Sequence, residues 1–324
     1  MIKFKKIKIL ASGFTFLILT TTIFALSRKN PTPGNRGMTV SHYITVDGLE
    51  RTYLLHIPPL SKLKRRPPLV IALHGGGGSG RDMIRLTGGG FNTLSNAGGF
   101  LVVYPDGIRK HWNDGRGLIY YSHRRNIDDV KFISRLIDRL VDEFNVDKSR
   151  VYVTGMSNGA LMSYRLACEL TNKIAAIAPV GASISENLYF SCHPSRPISV
   201  LIIMGMKDPL VPWNGGFLHF RRLKLGRVIS TPDTARFWAS INHCSREEGI
   251  QYLPDRDPYD GTRVWKKKYA GCSKNAEVIL YGIENGGHTW PGGFQYLPES
   301  IIGRTCRDID ASRIILNFFS KHNL

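Results

Sequence analysis

Short apolar runs recur along the chain with longer amphipathic stretches between them. Residues 53–57 (YLLHI), 69–73 (LVIAL), 99–104 (GFLVVY), 150–154 (RVYVT), 175–180 (AAIAPV), 200–204 (VLIIM) and 277–281 (EVILY) read as strands. Several are continuously apolar and β-branched, the pattern of strands covered on both faces. Elsewhere the period changes. Within residues 129–144, Val130, Phe132, Ile133, Leu136, Ile137, Leu140, Val141 and Phe144 fall near helical spacing, with Asn126 or Asp128 placed to cap the helix. Residues 161–170 and 309–319 also read as helices. The alternation predicts an α/β domain with a mostly parallel central sheet, right-handed crossovers and helices on both faces. No internal repeat, low-complexity tract or interior linker breaks it, so one domain is expected over residues 38–324.

The amino terminus departs from this pattern. Lys3, Lys5, Lys6 and Lys8 precede an uncharged, largely apolar stretch of 18 residues, 9–26 (ILASGFTFLILTTTIFAL). A basic end before an apolar run is the signature of an export signal, and Ala25-Leu26-Ser27 offers small residues for cleavage after Ser27. The run also sits at the lower limit for a membrane span, so an uncleaved anchor is the alternative. Residues 28–37 (RKNPTPGNRG) read as a Pro/Gly-rich linker. The expected location is secreted or periplasmic, with membrane contact only if residues 9–26 stay attached.

Composition narrows the classes. The 324 residues are 42% hydrophobic and 21% charged, which excludes a disordered chain and a multi-span membrane protein. The formal charge is +19, and +15 remains without the four leading lysines. Outside residues 63–66 there is no dense basic block with interleaved aromatics, and no nucleic-acid partner is expected. Five cysteines lie at 168, 192, 244, 272 and 306, none in a CxxC pair, which argues against a zinc ribbon. Sequence proximity would pair Cys168 with Cys192 and Cys244 with Cys272, leaving Cys306 free.

The sharpest chemistry is Gly155-Met156-Ser157-Asn158-Gly159, between a strand and a helical run. A nucleophile elbow needs this context: a tight turn relieved by glycines, with the serine hydroxyl exposed near a helix N-terminus. A serine needs a base. His288 sits on a glycine-rich loop (GGHTWPGG) after the strand 277–281, at the sheet edge where ligands bind. Asp208 follows the strand 200–204 and is the expected acid that orients the imidazole. The order Ser157, Asp208, His288 is that of α/β hydrolases. Oxyanion donors are expected from the N–H of Asn158 and from Gly76 or Gly75, in the run His74–Gly80 after the strand 69–73. No GK[ST] follows that run, so nucleotide binding is disfavoured. Trp290, Trp213 and Trp112 are candidate substrate-binding residues, with Asn113 beside the last. Asp128 and Asp129 read as a helix cap rather than a metal pair, and His74 as a structural hydrogen-bonding residue. No metal and no cofactor is expected.

The set LHGGGGSG, YPDG, DDVKFI, RVYVTGMSNGALMSYRLACE, AAIAPVGA, MGMKDPLVPWNGG, GGHTWPGG and DIDASRIILNFF resembles the secreted polyhydroxybutyrate depolymerase and feruloyl esterase-like family of α/β hydrolases. The likeness runs over residues 38–324. It implies an α/β-hydrolase fold and a serine esterase, with Ser157 as nucleophile, Asp208 as acid and His288 as base. Two positions depart from the family pattern. Gly205-Met206-Lys207 stands where a small polar run is usual, and Cys306 where Thr or Ser is common. The sequence ends without the substrate-binding domain that depolymerases of crystalline polymer often carry. Soluble substrates are therefore expected: a hydroxyalkanoate oligomer, a feruloyl or acetyl ester, or a small ester. The alternatives are a serine peptidase on the same fold, a non-catalytic binding protein on this scaffold, and a basic polyanion-binding protein.

Overall fold

The computed structural model describes residues 37–118, 120–220 and 223–324. The expected signal or anchor segment lies outside the described residues, as does all of the linker except Gly37. The strands are β1 (Met38–Val46), β2 (Leu49–Ile57), β3 (Leu69–Leu73), β4 (Leu101–Pro105), β5 (Val151–Met156), β6 (Ala176–Val180), β7 (Ser199–Gly205), β8 (Gly216–Phe220), β9 (Leu223–Val228), β10 (Arg246–Glu247), β11 (Gln251–Tyr252), β12 (Arg263–Ala270) and β13 (Val278–Glu284). The helices are α1 (Gly80–Leu86), α2 (Gly90–Gly98), α3 (Tyr121–Arg124), α4 (Asp129–Phe144), α5 (Asn158–Glu169), α6 (Glu186–Ser191), α7 (Thr231–Ile241), α8 (Glu299–Ile302) and α9 (Ala311–Phe319).

One large sheet has the order β1-β2-β4-β3-β5-β6-β7-β13-β12-β10, with β11 paired to β12; β8 and β9 form a separate hairpin. From β4 to β13 every pairing is parallel. Both flanks are antiparallel. This is the α/β-hydrolase fold. Side-chain alternation divides the core between the two faces. Leu69, Ile71 and Leu73 of β3 join the cluster with Phe132 and Leu136 of α4, Leu166 of α5 and Trp238 of α7. Val70 and Ala72 face the other way, toward Met83 of α1, Phe91 of α2 and Ile315 and Phe319 of α9. Helices on both faces explain why the central strands are apolar throughout.

The seven apolar runs are all strands, with ends shifted by a few residues at most. Helix α4 spans the expected residues, and Asp128 caps it, its side chain accepting from Lys131 N. The second unit of the expected cap, Asp129, is instead half of a buried ion pair with Arg51 of β2 (2.5 Å). Its other oxygen accepts the N–H of Asn113 at 2.6 Å. The Arg51 guanidinium lies 3.9 Å from the centre of the Phe132 ring. Burial pushes the Asp129 carboxyl up and the Arg51 guanidinium down, each toward its neutral form and against the pull of its partner. The pair leaves a stranded buried charge if either member is lost. It joins β2, α4 and the loop after β4 at one point. Cys168 pairs with Cys192 and Cys244 with Cys272, and Cys306 is buried and unpaired, as sequence proximity suggests. Among the described residues no helix is long and apolar enough to cross a membrane.

The ion pair makes a direct prediction. Arg51→Met, which strands a buried carboxylate, should lower unfolding stability by about 3–5 kcal/mol. Adding Asp129→Asn removes the stranded charge while keeping an acceptor for Asn113, and should recover most of the loss. Urea midpoints of the three proteins at pH 7 test this; a double variant no more stable than Arg51→Met would refute it.

Candidate active site

Ser157 stands between β5 and α5 with φ 56° and ψ −115°. Two close backbone contacts force this turn. A β-carbon on Gly155 would lie 2.5 Å from the carbonyl of Gly159, and one on Gly159 only 2.4 Å from the Leu73 oxygen. Neither position tolerates a side chain, so the spacing of the two glycines follows from packing α5 directly on the end of β3. Ser157 N donates to Val180 O of β6 (3.0 Å), which fixes the backbone of the turn. The serine itself is half-buried.

The glycine run after β3 lies against this turn. A β-carbon on Gly75 would sit 3.6 Å from Ser157 Cβ, and one on Gly76 3.7 Å from Asn158 Cβ. Gly77 N and Gly78 N are already committed, to Lys110 O and Gly75 O. The N–H of Asn158 is the first of α5 and has no partner within its helix. His74 is buried, with Nε2 accepting from Gly107 N at 2.9 Å and Nδ1 bonded to Gly75 O at 2.7 Å. Since the amide can only donate, the ring proton sits on Nδ1. Burial holds its basicity down, so His74 is a neutral brace for the loop.

Neighbouring strands bring Asp208 and His288 together. β7 and β13 pair in parallel, with Gly205 opposite Ile283. Beyond their ends, Met206 N donates to Ile283 O and Lys207 N to Gly286 O. His288 Nδ1 then lies 2.6 Å from Asp208 Oδ2. Asp208 Oδ1 accepts the N–H groups of Leu210 and Val211, both at 2.8 Å. Because the carboxylate accepts, Nδ1 of His288 carries the proton, and Nε2 of the neutral ring keeps its lone pair. The ring's Cε1 is 3.6 Å from where a β-carbon on Gly181 would stand, one residue beyond the carbonyl that holds Ser157 N.

A polar network, largely absent from the sequence-level expectation, surrounds Asn158. Its Oδ1 accepts from Trp112 N (2.8 Å), and its Nδ2 donates to Asp114 Oδ2 (2.6 Å) and Trp112 O (3.2 Å). Asp114 is fully buried and pairs with Arg116 at 2.8 Å. Burial alone would raise the Asp114 carboxyl, but Arg116, their hydrogen bonds and the nearby His123 outweigh it and hold it below the usual range. Arg116 Nη1 continues to Leu225 O of β9 (2.7 Å). The signal for this network is the sequence His111-Trp112-Asn113-Asp114 on the loop after β4.

Trp112 and Trp290 depart from the expected substrate-binding role. Trp112 is fully buried, its indole donating to His74 O at 2.9 Å, and Asn113 is buried with its N–H on Asp129. Trp290 is 1% exposed, donates to Ser312 Oγ (3.2 Å) and meets Phe91 edge-on. Both rings are closed in protein: Trp112 holds the loop after β4 against Asn158 and His74, and Trp290 anchors the loop that carries His288, so neither lines an open wall. Trp213 is half-buried against Trp265. Among the described residues one group, Asp260, Cys306 and Asp308, brings potential metal ligands within 4.8 Å of one another. Backbone N–H groups already engage both carboxylates, and burial raises the thiol.

Residues 51–201 match the family model described as Esterase PHB depolymerase. The chain is 30% identical over 289 residues to a protein described as esterase NocK from Nocardia uniformis subsp. tsuyamanensis, covering 86% of this chain and 82% of that protein. It is 29% identical over 247 residues to feruloyl esterase C of Emericella nidulans, covering 74% and 76% of the two chains. The structure of an acetyl xylan esterase from Aspergillus awamori superposes with a TM-score of 0.52 at 16% identity, covering 77% of this chain and 94% of that one, and shares its fold. The chain thus belongs to the polyhydroxybutyrate depolymerase and feruloyl esterase-like family of α/β hydrolases and is a carboxylic-ester hydrolase.

Proposed function

We propose that the chain is an exported serine esterase that works through an acyl-enzyme on Ser157. The observation that carries the reading is the 2.6 Å bond from His288 to Asp208, beside a serine held in a glycine-flanked elbow. In this reading Ser157 Oγ attacks the ester carbonyl while His288 Nε2 takes its proton. Asp208 keeps the imidazole in the tautomer that leaves Nε2 free and stabilises the imidazolium. The oxyanion of the tetrahedral intermediate accepts hydrogen bonds from the N–H of Asn158 and of Gly75 or Gly76. Collapse breaks the bond to the alcohol oxygen, which leaves with the proton from His288. Water then attacks the acyl-enzyme, giving its proton to His288; collapse breaks the bond to Ser157 Oγ, which takes that proton back as the acid leaves. The substrate classes favoured by the relatives' names are feruloyl and acetyl esters; a hydroxyalkanoate oligomer fits the same chemistry. Export rests on the amino-terminal pattern and agrees with two disulfides, which persist in oxidising compartments.

Four outcomes test the reading. Ser157→Ala should cut p-nitrophenyl butyrate hydrolysis by about 10⁴-fold or more, and Asp208→Asn by roughly 10³–10⁴-fold, with folding unchanged by circular dichroism. Turnover retained by Ser157→Ala would remove the serine from the mechanism. Asp114→Asn weakens the anchor of Asn158, so kcat should fall about tenfold or more while KM moves little; an effect confined to KM would contradict a role in placing the oxyanion donor. Amino-terminal sequencing of the mature protein should begin at Arg28, and a membrane-bound chain that still begins at Met1 would favour the anchor.

A further inference from the structure

Two segments frame the Ser157 elbow. The first, residues 107–126, is tied to the glycine loop by Gly107 N on His74 and Gly77 N on Lys110, and to the elbow by the Trp112–Asn158 bonds. The second, residues 207–228, starts at Asp208 and runs through the hairpin of β8 and β9. His219 N donates to Leu210 O, and Leu218 and Val228 pack with Ala160 and Leu161 at the start of α5. The Arg116–Leu225 bond joins the two segments.

The charge of these segments is one-sided. Together their described residues hold eight Lys and Arg and two acids, Asp114 and Asp208. Both acids are buried and already bonded, one to Arg116 and Asn158, the other to His288 and two backbone N–H groups. Arg109, Lys110, Arg124, Arg125, Lys207 and Lys224 are exposed, and none has a carboxylate within 4.0 Å among the described residues. Two of them rest on aromatic rings of the same segments: Arg109 lies 4.1 Å from the centre of Tyr121, and Lys224 4.6 Å from that of Phe217. By contrast α4 mixes signs along its exposed face, Lys131, Arg135 and Arg139 against Asp138, Asp142 and Glu143. A cationic mouth in which, among the described residues, only Arg116 and Arg227 meet a carboxylate raises the local concentration of anions and orients them as they enter.

We propose that the ester cleaved at Ser157 carries a free carboxylate that these cations hold. The inference rests on the serine-esterase reading and names the substrate class. The carboxylate could belong to a linear oligoester of a hydroxy acid or to an ester-bearing uronate polysaccharide.

The test compares two esters that differ in one charge: the mono-p-nitrophenyl ester of adipic acid and the methyl ester of that compound. At low ionic strength kcat/KM for the acid should exceed that for the methyl ester about tenfold or more, mostly through KM. The ratio should fall toward one in about 0.5 M salt, where the screening length is only a few Å. Arg124→Gln with Arg125→Gln should lower the ratio, whereas the distal pair Arg135→Gln with Lys148→Gln, which removes the same charge, should not. A ratio near one at low salt, or equal losses in the two pairs, overturns the proposal. If neither ester is cleaved the serine-esterase reading fails separately. Calorimetric binding of the two esters to the same protein then decides: salt-sensitive binding of the acid alone supports the cationic mouth, and equal binding overturns it. Oligomers of 3-hydroxybutyrate with a free acid end and acetylated polygalacturonate distinguish the two sources by which one is turned over.

Discussion

Main chain touches main chain where α5 leaves β5, and the surroundings of Ser157 follow from that contact. The start of α5 lies on the carbonyl oxygens of Leu73 and His74, close enough that Gly159 admits no β-carbon. A helix that begins against the end of a neighbouring strand leaves no room for a longer loop. The turn must therefore be made in one residue, and that residue takes φ 56°. Such strain persists only where the surroundings over-determine it. Here they do: Ser157 N is held by β6, and its carbonyl accepts from Leu161 of α5. The same contact brings the loop after β3 beside the helix N-terminus, so candidate oxyanion donors from two parts of the chain converge without any dedicated element.

Irregular segments lack the ladder that sets register in a sheet. In this protein buried charges do that work. Asp129 ties the loop after β4 to β2 and α4, and Asp114 ties the same loop to Asn158 and, through Arg116, to β9. Each buried charge is costly unless it is paired and hydrogen-bonded, so each accepts few alternative arrangements. The two carboxylates stand 15 residues apart in sequence but fix neighbouring points of the loop, Asn113 and Asp114. Trp112, just before them, is held by both its N–H groups. Removing such pairs would loosen the loop before it unfolded the domain.

Legibility in the sequence follows burial. The central strands lie under helices on both faces, so their residues are apolar throughout and stand out as runs; β3 is recovered residue for residue. The edges do not. β1 alternates half-buried and exposed residues, β12 carries Lys266, Lys267 and Lys268, and β8 and β9 form a hairpin outside the main sheet. Such strands are defined by partners distant in sequence, and a search for apolar runs passes over them. The proposed triad residues are legible for a different reason: each follows a strand that is itself legible, at the sheet edge where its geometry is constrained. Trp112 and Trp290 mislead because a large ring near a functional loop suits either a substrate wall or a buried brace. The sequence does not distinguish the two, whereas the donors on Trp112 and Trp290 both find acceptors inside the protein.

The helix that begins at Ser157 is held at both of its ends. At its start, the Asn158 side chain bonds to the loop after β4. Near its end, Cys168 is linked to Cys192, which closes α6. Arg227 of β9 pairs with Glu186 at the start of α6, and Val228 bridges to Ser185. A closed path thus runs from α5 through the disulfide to α6, on to the hairpin, across Arg116 and Asp114, and back to Asn158. A cross-link over a loop of this length removes unfolded-state entropy worth about 3 kcal/mol. Its placement matters as much as its size. A displacement of the hairpin would be felt at Asn158 through Arg116 and Asp114, and at the far end of α5 through α6. The hairpin and the first turn of α5 are therefore parts of one mechanical unit.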